Sequence, residues 1–216
     1  MQKGHLIILN GGSSAGKTST CSAFQDLTQK PYIHLGIDRF WSAIPPKQMH
    51  VDTATADYYT TKTYYQDDKP FFHVTPGPLL DDTMYASYKA IASYLEIGLN
   101  VISDQIFWKP AWLKCALTTF QPFKVYLIAL LVSDEEGARR ERARSVGEAK
   151  DTAGGGRPEG WNRCSALVTH KNMIYDLEID NTSLSILEAA SKIKDFIEAT
   201  PKPQAFKQLY KQRCSQ

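Results

Sequence analysis

At 216 residues, 43% hydrophobic and 22% charged, the chain is long enough to bury one substantial core. A formal charge of +2 excludes wholesale attraction to nucleic acid or to an acidic membrane surface. The four cysteines, Cys21, Cys115, Cys164 and Cys214, lie far apart with no CxxC pair, which argues against a disulfide framework or a zinc site and suits reduced thiols in a cytoplasmic protein. The apolar run Leu6–Leu9 is too short for a signal peptide, and Val125–Val132 has the length of a buried strand and not of a bilayer span.

The elements alternate along the chain. His5–Asn10 reads as a strand and Lys17–Leu27 as a helix; Tyr32–Ile37 reads as a second strand, with a helical turn over Asp38–Ile44 stopped by Pro45 and Pro46. Leu79–Glu96 is an amphipathic helix with Gly98 suited to its C-terminal cap. Asn100–Ser103 is a strand, Ala111–Phe120 a helix, Lys124–Leu131 a strand and Ser133–Lys150 a charged helix. Met173–Ile179 is the last strand and Leu184–Ala199 the last helix. Strands alternating with helices predict an α/β fold with a mostly parallel sheet covered on both faces. The expected division is one domain over residues 1–200, with an acceptor-side insertion at 45–78, a lid region at 133–165 and a basic C-terminal tail at 201–216.

The first strand runs into GGSSAGKTS, residues 11–19. Gly11, Gly16, Lys17 and Thr18 satisfy the G-x-x-x-x-G-K-S/T spacing between a strand and a helix. Small residues leave the backbone amides free to curl around an anion, and the helix that follows points its positive end at it. The nucleotide-binding set is therefore Gly11, Gly12, Ser13, Ser14, Ala15, Gly16, Lys17, Thr18 and Ser19, with Lys17 on the outer phosphates and the Thr18 hydroxyl on Mg²⁺. A dinucleotide fold would require G-x-G-x-x-G, which this loop lacks.

Two acids follow apolar strands. Asp38, in LGIDRFW, is a candidate general base for an acceptor hydroxyl, with a helix N-cap as the plain alternative. Asp104, in NVISDQIF, is the candidate partner of Mg²⁺, directly or through water, with a solvated turn residue as the plain alternative. The run DEEGARRERARS carries Arg139, Arg140, Arg142 and Arg144. It is either a solvated, salt-bridged helix or a lid that closes on a triphosphate, for which Arg140 and Arg144 are the candidates. The glycine-rich TAGGGRPEG, Thr152–Gly160, would let such a lid move. Aromatic residues crowd Tyr58–Phe72, among them Tyr64 and Phe71; ordinary core is the plain reading, and a loop or hairpin walling an acceptor pocket is the sharper one. The five histidines show no metal-ligand spacing.

With these motifs, IILNGGSSAGKTS, GID at Asp38, Gly77-Pro78, VISDQIF, ARRERAR and HKNMIYDLEIDNTSLS, the chain resembles the chloramphenicol phosphotransferase family of small P-loop kinases. The resemblance spans most of residues 5–195. It implies a three-layer P-loop kinase fold with a five-stranded parallel sheet of order 2-3-1-4-5 and an arginine-bearing lid. It implies use of ATP and Mg²⁺ to phosphorylate a hydroxyl acceptor, with Asp38 in the catalytic-base position; chloramphenicol is the first candidate acceptor, with antibiotic resistance to follow, and another hydroxylated metabolite or antibiotic is the alternative. Residues 45–76 match the family least. A nucleotide-binding switch that phosphorylates nothing, and a kinase of a nucleic-acid end, stay open as alternatives; the first would not need an acid on strand two, and the second would want a basic channel. A small-molecule partner is expected, with no membrane or nucleic-acid partner, and a homo-oligomer stays open.

Overall fold

The computed structural model describes residues 2–49, 53–144 and 158–214. Its elements are β1 (His5–Asn10), α1 (Lys17–Leu27), β2 (Tyr32–His34), α2 (Ile37–Trp41), α3 (Pro46–Met49), β3 (Tyr59–Gln66), β4 (Lys69–Pro76) and α4 (Pro78–Glu96). They continue with β5 (Asn100–Gln105), α5 (Pro110–Phe120), β6 (Lys124–Leu131), α6 (Asp134–Arg144), α7 (Trp161–Thr169), β7 (Leu177–Asp180), α8 (Ile186–Ala199) and α9 (Ala205–Cys214).

Strand β1 shows why the sheet lies in the middle. Its side chains alternate between two cores: Leu6 and Ile8 pack with α4, α5 and α9, while Ile7 and Leu9 pack with α1 and α8. A strand with both faces covered needs apolar residues at every position, and LIIL supplies them. The sheet order is β2-β5-β1-β6-β7 with every pairing parallel. Numbered along the chain without the hairpin, these strands stand in the order 2-3-1-4-5. The sheet therefore has the α/β P-loop kinase arrangement, with β1 flanked by β5 and β6. Register sets Leu9 beside Asp104 and Asn10 beside Gln105 and Ala129, so the carboxyl ends of the central strands finish together under the loop that follows Asn10.

Several boundaries differ from the sequence expectation. Strand β2 ends at His34 and not at Ile37, because the chain turns away at Gly36, where any Cβ would fall 1.6 Å from Oδ1 of Asp104. Strand β5 runs on to Gln105, which puts Asp104 inside the sheet. The last strand starts at Leu177, not Met173: the Asp176 carboxylate instead accepts the amides of Leu127 and of Gln204 and Ala205. Residues 205–214, expected within a basic tail, form α9, whose Phe206 and Leu209 are buried in the core. Helix α7 was not foreseen at all. The expected helix Ser133–Lys150 is α6 as far as Arg144; its remainder and most of the loop Thr152–Gly160 fall on residues 145–157, outside those described.

The stretch 59–76 is an antiparallel hairpin. Its turn is Asp67-Asp68, both with positive φ (50° and 57°), the backbone of a two-residue loop that matches the strands' twist. No helix among the described residues is long and apolar enough to cross a membrane.

Candidate active site

The phosphate loop is held from three sides. Gly16 adopts φ +92° at the N-cap of α1, and a Cβ there would meet Nδ2 of Asn181 at 2.9 Å, so this turn requires glycine. The Asn181 amide donates to the Ala15 carbonyl at 2.8 Å. From α7, Ser165 Oγ accepts the Ser13 amide at 2.7 Å, and the Asn162 side chain donates to the Ser13 carbonyl. Helix α7 is itself capped by Glu141 of α6, a buried carboxylate that accepts the amides of Gly160 (2.9 Å) and Asn162 (2.7 Å). Helices α6 and α7 and the phosphate loop are thus one hydrogen-bonded unit. Buried acids need such partners to stay charged.

Lys17 is buried, and its ammonium donates to the carbonyls of Gly11 (2.9 Å) and Gly12 (2.7 Å). Thr18 Oγ1 donates to Asp104 Oδ2 at 2.7 Å. The other oxygen of Asp104 meets His34 Nε2, also at 2.7 Å. Burial alone would push the Asp104 carboxyl up; the hydrogen bond and charge of His34, with Thr18 and Lys17, outweigh it and hold the group below its ordinary value. Asp104 is therefore an ionised carboxylate at 2% exposure, paired with a hydroxyl. Two hard oxygen donors of this kind fit Mg²⁺.

Arg140 lies across the loop. Its guanidinium donates to Glu136 (2.7 Å), to the Asn181 carbonyl (2.7 Å) and, more weakly, to the Ala15 carbonyl (3.4 Å). Glu136 is held at about 2 by its hydrogen bonds from Arg139 and Arg140. Arg144 is exposed at the far end of α6. Below the loop, Asn10 accepts from Thr169 Oγ1 and donates to the Thr169 carbonyl and the Tyr175 hydroxyl, and His170 Nδ1 lies 2.7 Å from that hydroxyl.

The loop, Lys17, Thr18, Asp104, Arg140 and Arg144 open onto a cavity of about 1100 Å³. Its polar end is Ser13, Ser14, Gly16–Ser19, Arg139, Arg140, Arg144 and the loop Asn181–Ile186. Two buried atoms lining it, Ser14 Oγ and Asn181 Oδ1, have no hydrogen-bond partner, the condition of groups that await a polar ligand. The other end carries Asp38 with Ile37, Val74, Leu80 and the chain's four tryptophans, Trp41, Trp108, Trp112 and Trp161. Gly11 and Gly12 lie behind the cavity, as the carbonyls that hold Lys17, and Ala15 behind it as the acceptor of Arg140 and Asn181. Asp38 is in the first turn of α2, two residues after the N-cap at Gly36, so it is not the N-cap.

The aromatic wall is not the one expected. No residue of Tyr58–Phe72 lines the cavity. Tyr64 (40% exposed) and Tyr65 (72%) face outward, and Tyr64 stacks on Phe71, which lies under Arg163. Phe72 supports Trp161 from behind at 5.5 Å. The hairpin reaches the cavity through Val74 and Pro76 instead. The tryptophans are fixed from outside: Trp108 Nε1 donates to the Val74 carbonyl (2.6 Å), Trp112 Nε1 to Asp81 (2.7 Å) and Trp41 Nε1 to Met84 Sδ (3.3 Å). Each indole so held spends its N–H on the protein; Trp41 and Trp161 are half-buried at the wall, while Trp108 (8% exposed) and Trp112 (1%) are buried within it. Apart from their being the chain's only tryptophans, no linear signal joins positions 41, 108, 112 and 161.

A family model described as chloramphenicol phosphotransferase-like protein matches residues 4–198. The chain belongs to that family. It is 44% identical over 216 residues to a Mycobacterium tuberculosis (strain ATCC 25618 / H37Rv) protein named "Putative O-phosphotransferase Rv2636", the match covering 100% of this chain and 92% of that protein. Among solved structures it is similar to the APS kinase CysC of Mycobacterium tuberculosis in complex with AMPPNP and APS (TM-score 0.57, 13% identity, 92% of this chain and 99% of that one). It is also similar to a gluconokinase of Sinorhizobium meliloti 1021 (TM-score 0.56, 14% identity, 98% of both chains). At those identities the structures speak for the fold, that of the P-loop kinases, and for nothing finer.

Proposed function

We propose that this family member is an ATP-dependent kinase that transfers the terminal phosphoryl group to a hydroxyl of a small, ring-bearing acceptor. Chloramphenicol is the first candidate through the family, with another hydroxylated metabolite or antibiotic as the alternative. The observation that carries the proposal is the single cavity with a phosphate loop at one end and Asp38 among tryptophan faces at the other.

The first turn of α1 directs its amide dipoles at the phosphates. Lys17, now on two carbonyls of its own loop, exchanges them for phosphate oxygens. Thr18 and Asp104 would hold Mg²⁺, which neutralises charge on the outer phosphates. Arg140 and Arg144 add positive charge where it develops in transfer. Asp38 takes the proton of the acceptor hydroxyl as the new O–P bond forms and ADP leaves. The indole faces hold an uncharged ring by apolar contact and exclude water from the reacting atoms.

The test is transfer of labelled phosphate from ATP, with Mg²⁺ present, to chloramphenicol and to a panel of hydroxylated ring compounds. Label on an acceptor with ADP formed one for one, lost in Asp38→Asn while ATP still binds, supports the proposal. ATP hydrolysis with no acceptor labelled would overturn it in favour of a nucleotide-dependent switch.

A further inference from the structure

Behind Asp104, away from the cavity, the carboxylate belongs to a second set of groups. Cys21 of α1, His34 of β2 and Asp104 of β5 are all buried, and one ligand atom from each lies within 4.8 Å of the others. The linear sequence gave no sign of it, since the three residues come from three elements. His34 presents one ring nitrogen to Asp104, and its other, Nδ1, is buried with no hydrogen-bond partner. Asp104 occupies the Nε2 side of the ring, so a metal shared by all three side chains takes Nε2 in exchange for the present hydrogen bond.

We propose that Cys21, His34 and Asp104 form a site for a thiophilic divalent cation of the Zn²⁺ class, and that its occupancy draws Asp104 away from Thr18. Thiolate and imidazole discriminate strongly for such ions over Mg²⁺, whereas Thr18 and Asp104 alone offer only oxygen. On binding, the Cys21 thiol gives up its proton to solvent and a metal–sulfur bond forms. A tetrahedral zinc holds sulfur and nitrogen ligands roughly 3.5 Å apart, so side chains already within 4.8 Å need close by only about 1 Å. Entry is from the cavity, which Thr18 and Asp104 line. Asp104 is thus shared between two metals of opposite preference, and Zn²⁺ becomes an inhibitor competitive with Mg²⁺ and ATP. The inhibition rests on the role proposed above for Thr18 and Asp104; the binding does not.

The experiment titrates the full-length, metal-free protein with Zn²⁺ by calorimetry, and with Co²⁺ by absorption. One Zn²⁺ per chain is expected, with a thiolate-to-cobalt charge-transfer band. Cys21→Ala should lose the band and weaken Zn²⁺ binding at least about tenfold, while ATP binding and the melting curve stay those of the parent. Should Cys21→Ala fold poorly, His34→Gln is the second variant and must weaken Zn²⁺ equally. Absence of stoichiometric Zn²⁺, or unchanged affinity and an unchanged band in the well-folded variants, overturns the site. Zn²⁺ that binds through Cys21 without being displaced by Mg²⁺ and ATP overturns the shared role of Asp104 and leaves the site standing.

Discussion

The two ends of the cavity are built by opposite means. The polar end centres on one continuous stretch, residues 13–19, joined by arginines of α6 and by residues 181–186; in the stretch the side chains are small or bent away, and Lys17 turns back onto the carbonyls of Gly11 and Gly12. The apolar end has no such stretch. Trp41 follows from α2, Trp108 and Trp112 from the segment around the start of α5, and Trp161 from α7, and their indoles converge only because the sheet brings those elements together. Recognition of phosphate demands many amides in one place, which a loop between strand and helix supplies. Recognition of a ring demands rigid walls on several sides, which have to come from several elements.

The sharpest way to break this division is at Lys17. Lys17→Ala should reduce phosphoryl transfer by roughly a thousandfold, the scale of losing a preorganised charge at a transition state, with a small change in the melting curve. Steady-state kinetics and thermal denaturation measure both; turnover near the parent's would end the phosphate-loop assignment. Next is Asp38→Asn, which keeps the shape and removes the base. Transfer should slow by roughly a hundredfold or more while calorimetry finds ATP affinity close to the parent's. An equal loss in ATP binding would mean that Asp38 belongs to the polar end.

A smaller effect tests the apolar end. Trp112→Ala should raise the acceptor KM about tenfold with the KM for ATP little moved, since one aromatic contact contributes on the order of 1 kcal/mol beyond its buried area. Tyr64→Ala, on the outer face of the hairpin, should leave the acceptor KM within about twofold. If Tyr64 matters as much as Trp112, the hairpin closes over the cavity in a way its present packing does not predict. Because the four indoles lie on one cavity, acceptor binding should also change intrinsic fluorescence, a direct check on the same contrast.

The smallest effect concerns the network under the phosphate loop. Burial, with a lesser push from Lys17, lowers His170 from 6.5 to about 4. The unfolded chain therefore takes up this proton near pH 6.5 while the folded one waits until about pH 4, so stability falls as the pH drops through that window and is untouched above it. Denaturant titrations at pH 7, 5.5 and 4.5 should show a shallower decline in His170→Gln than in the parent. Parallel declines would place the acid sensitivity on other groups, His5 and the carboxylates among them.

Local chemistry by itself determined the phosphate loop, the strands β1 and β6, the long helices α4 and α8, and the candidates Asp38 and Asp104. In each, the deciding information is short-range: turn glycines, a run of apolar residues, a period of 3.6, or an acid directly after a strand. Three things were settled only by tertiary structure. Asp104 is a buried sheet residue and not a turn residue, because Gly36 yields it the space and His34 and Thr18 its partners. The Tyr58–Phe72 aromatics go to the core or the outer surface and not to the cavity, since a hairpin has two faces and only packing against α7 decides which one is covered. The tryptophan wall joins residues as far apart as 41 and 161. Spacing along the chain carries no record of such a contact, because it exists only once loop closure has brought distant elements to the same place.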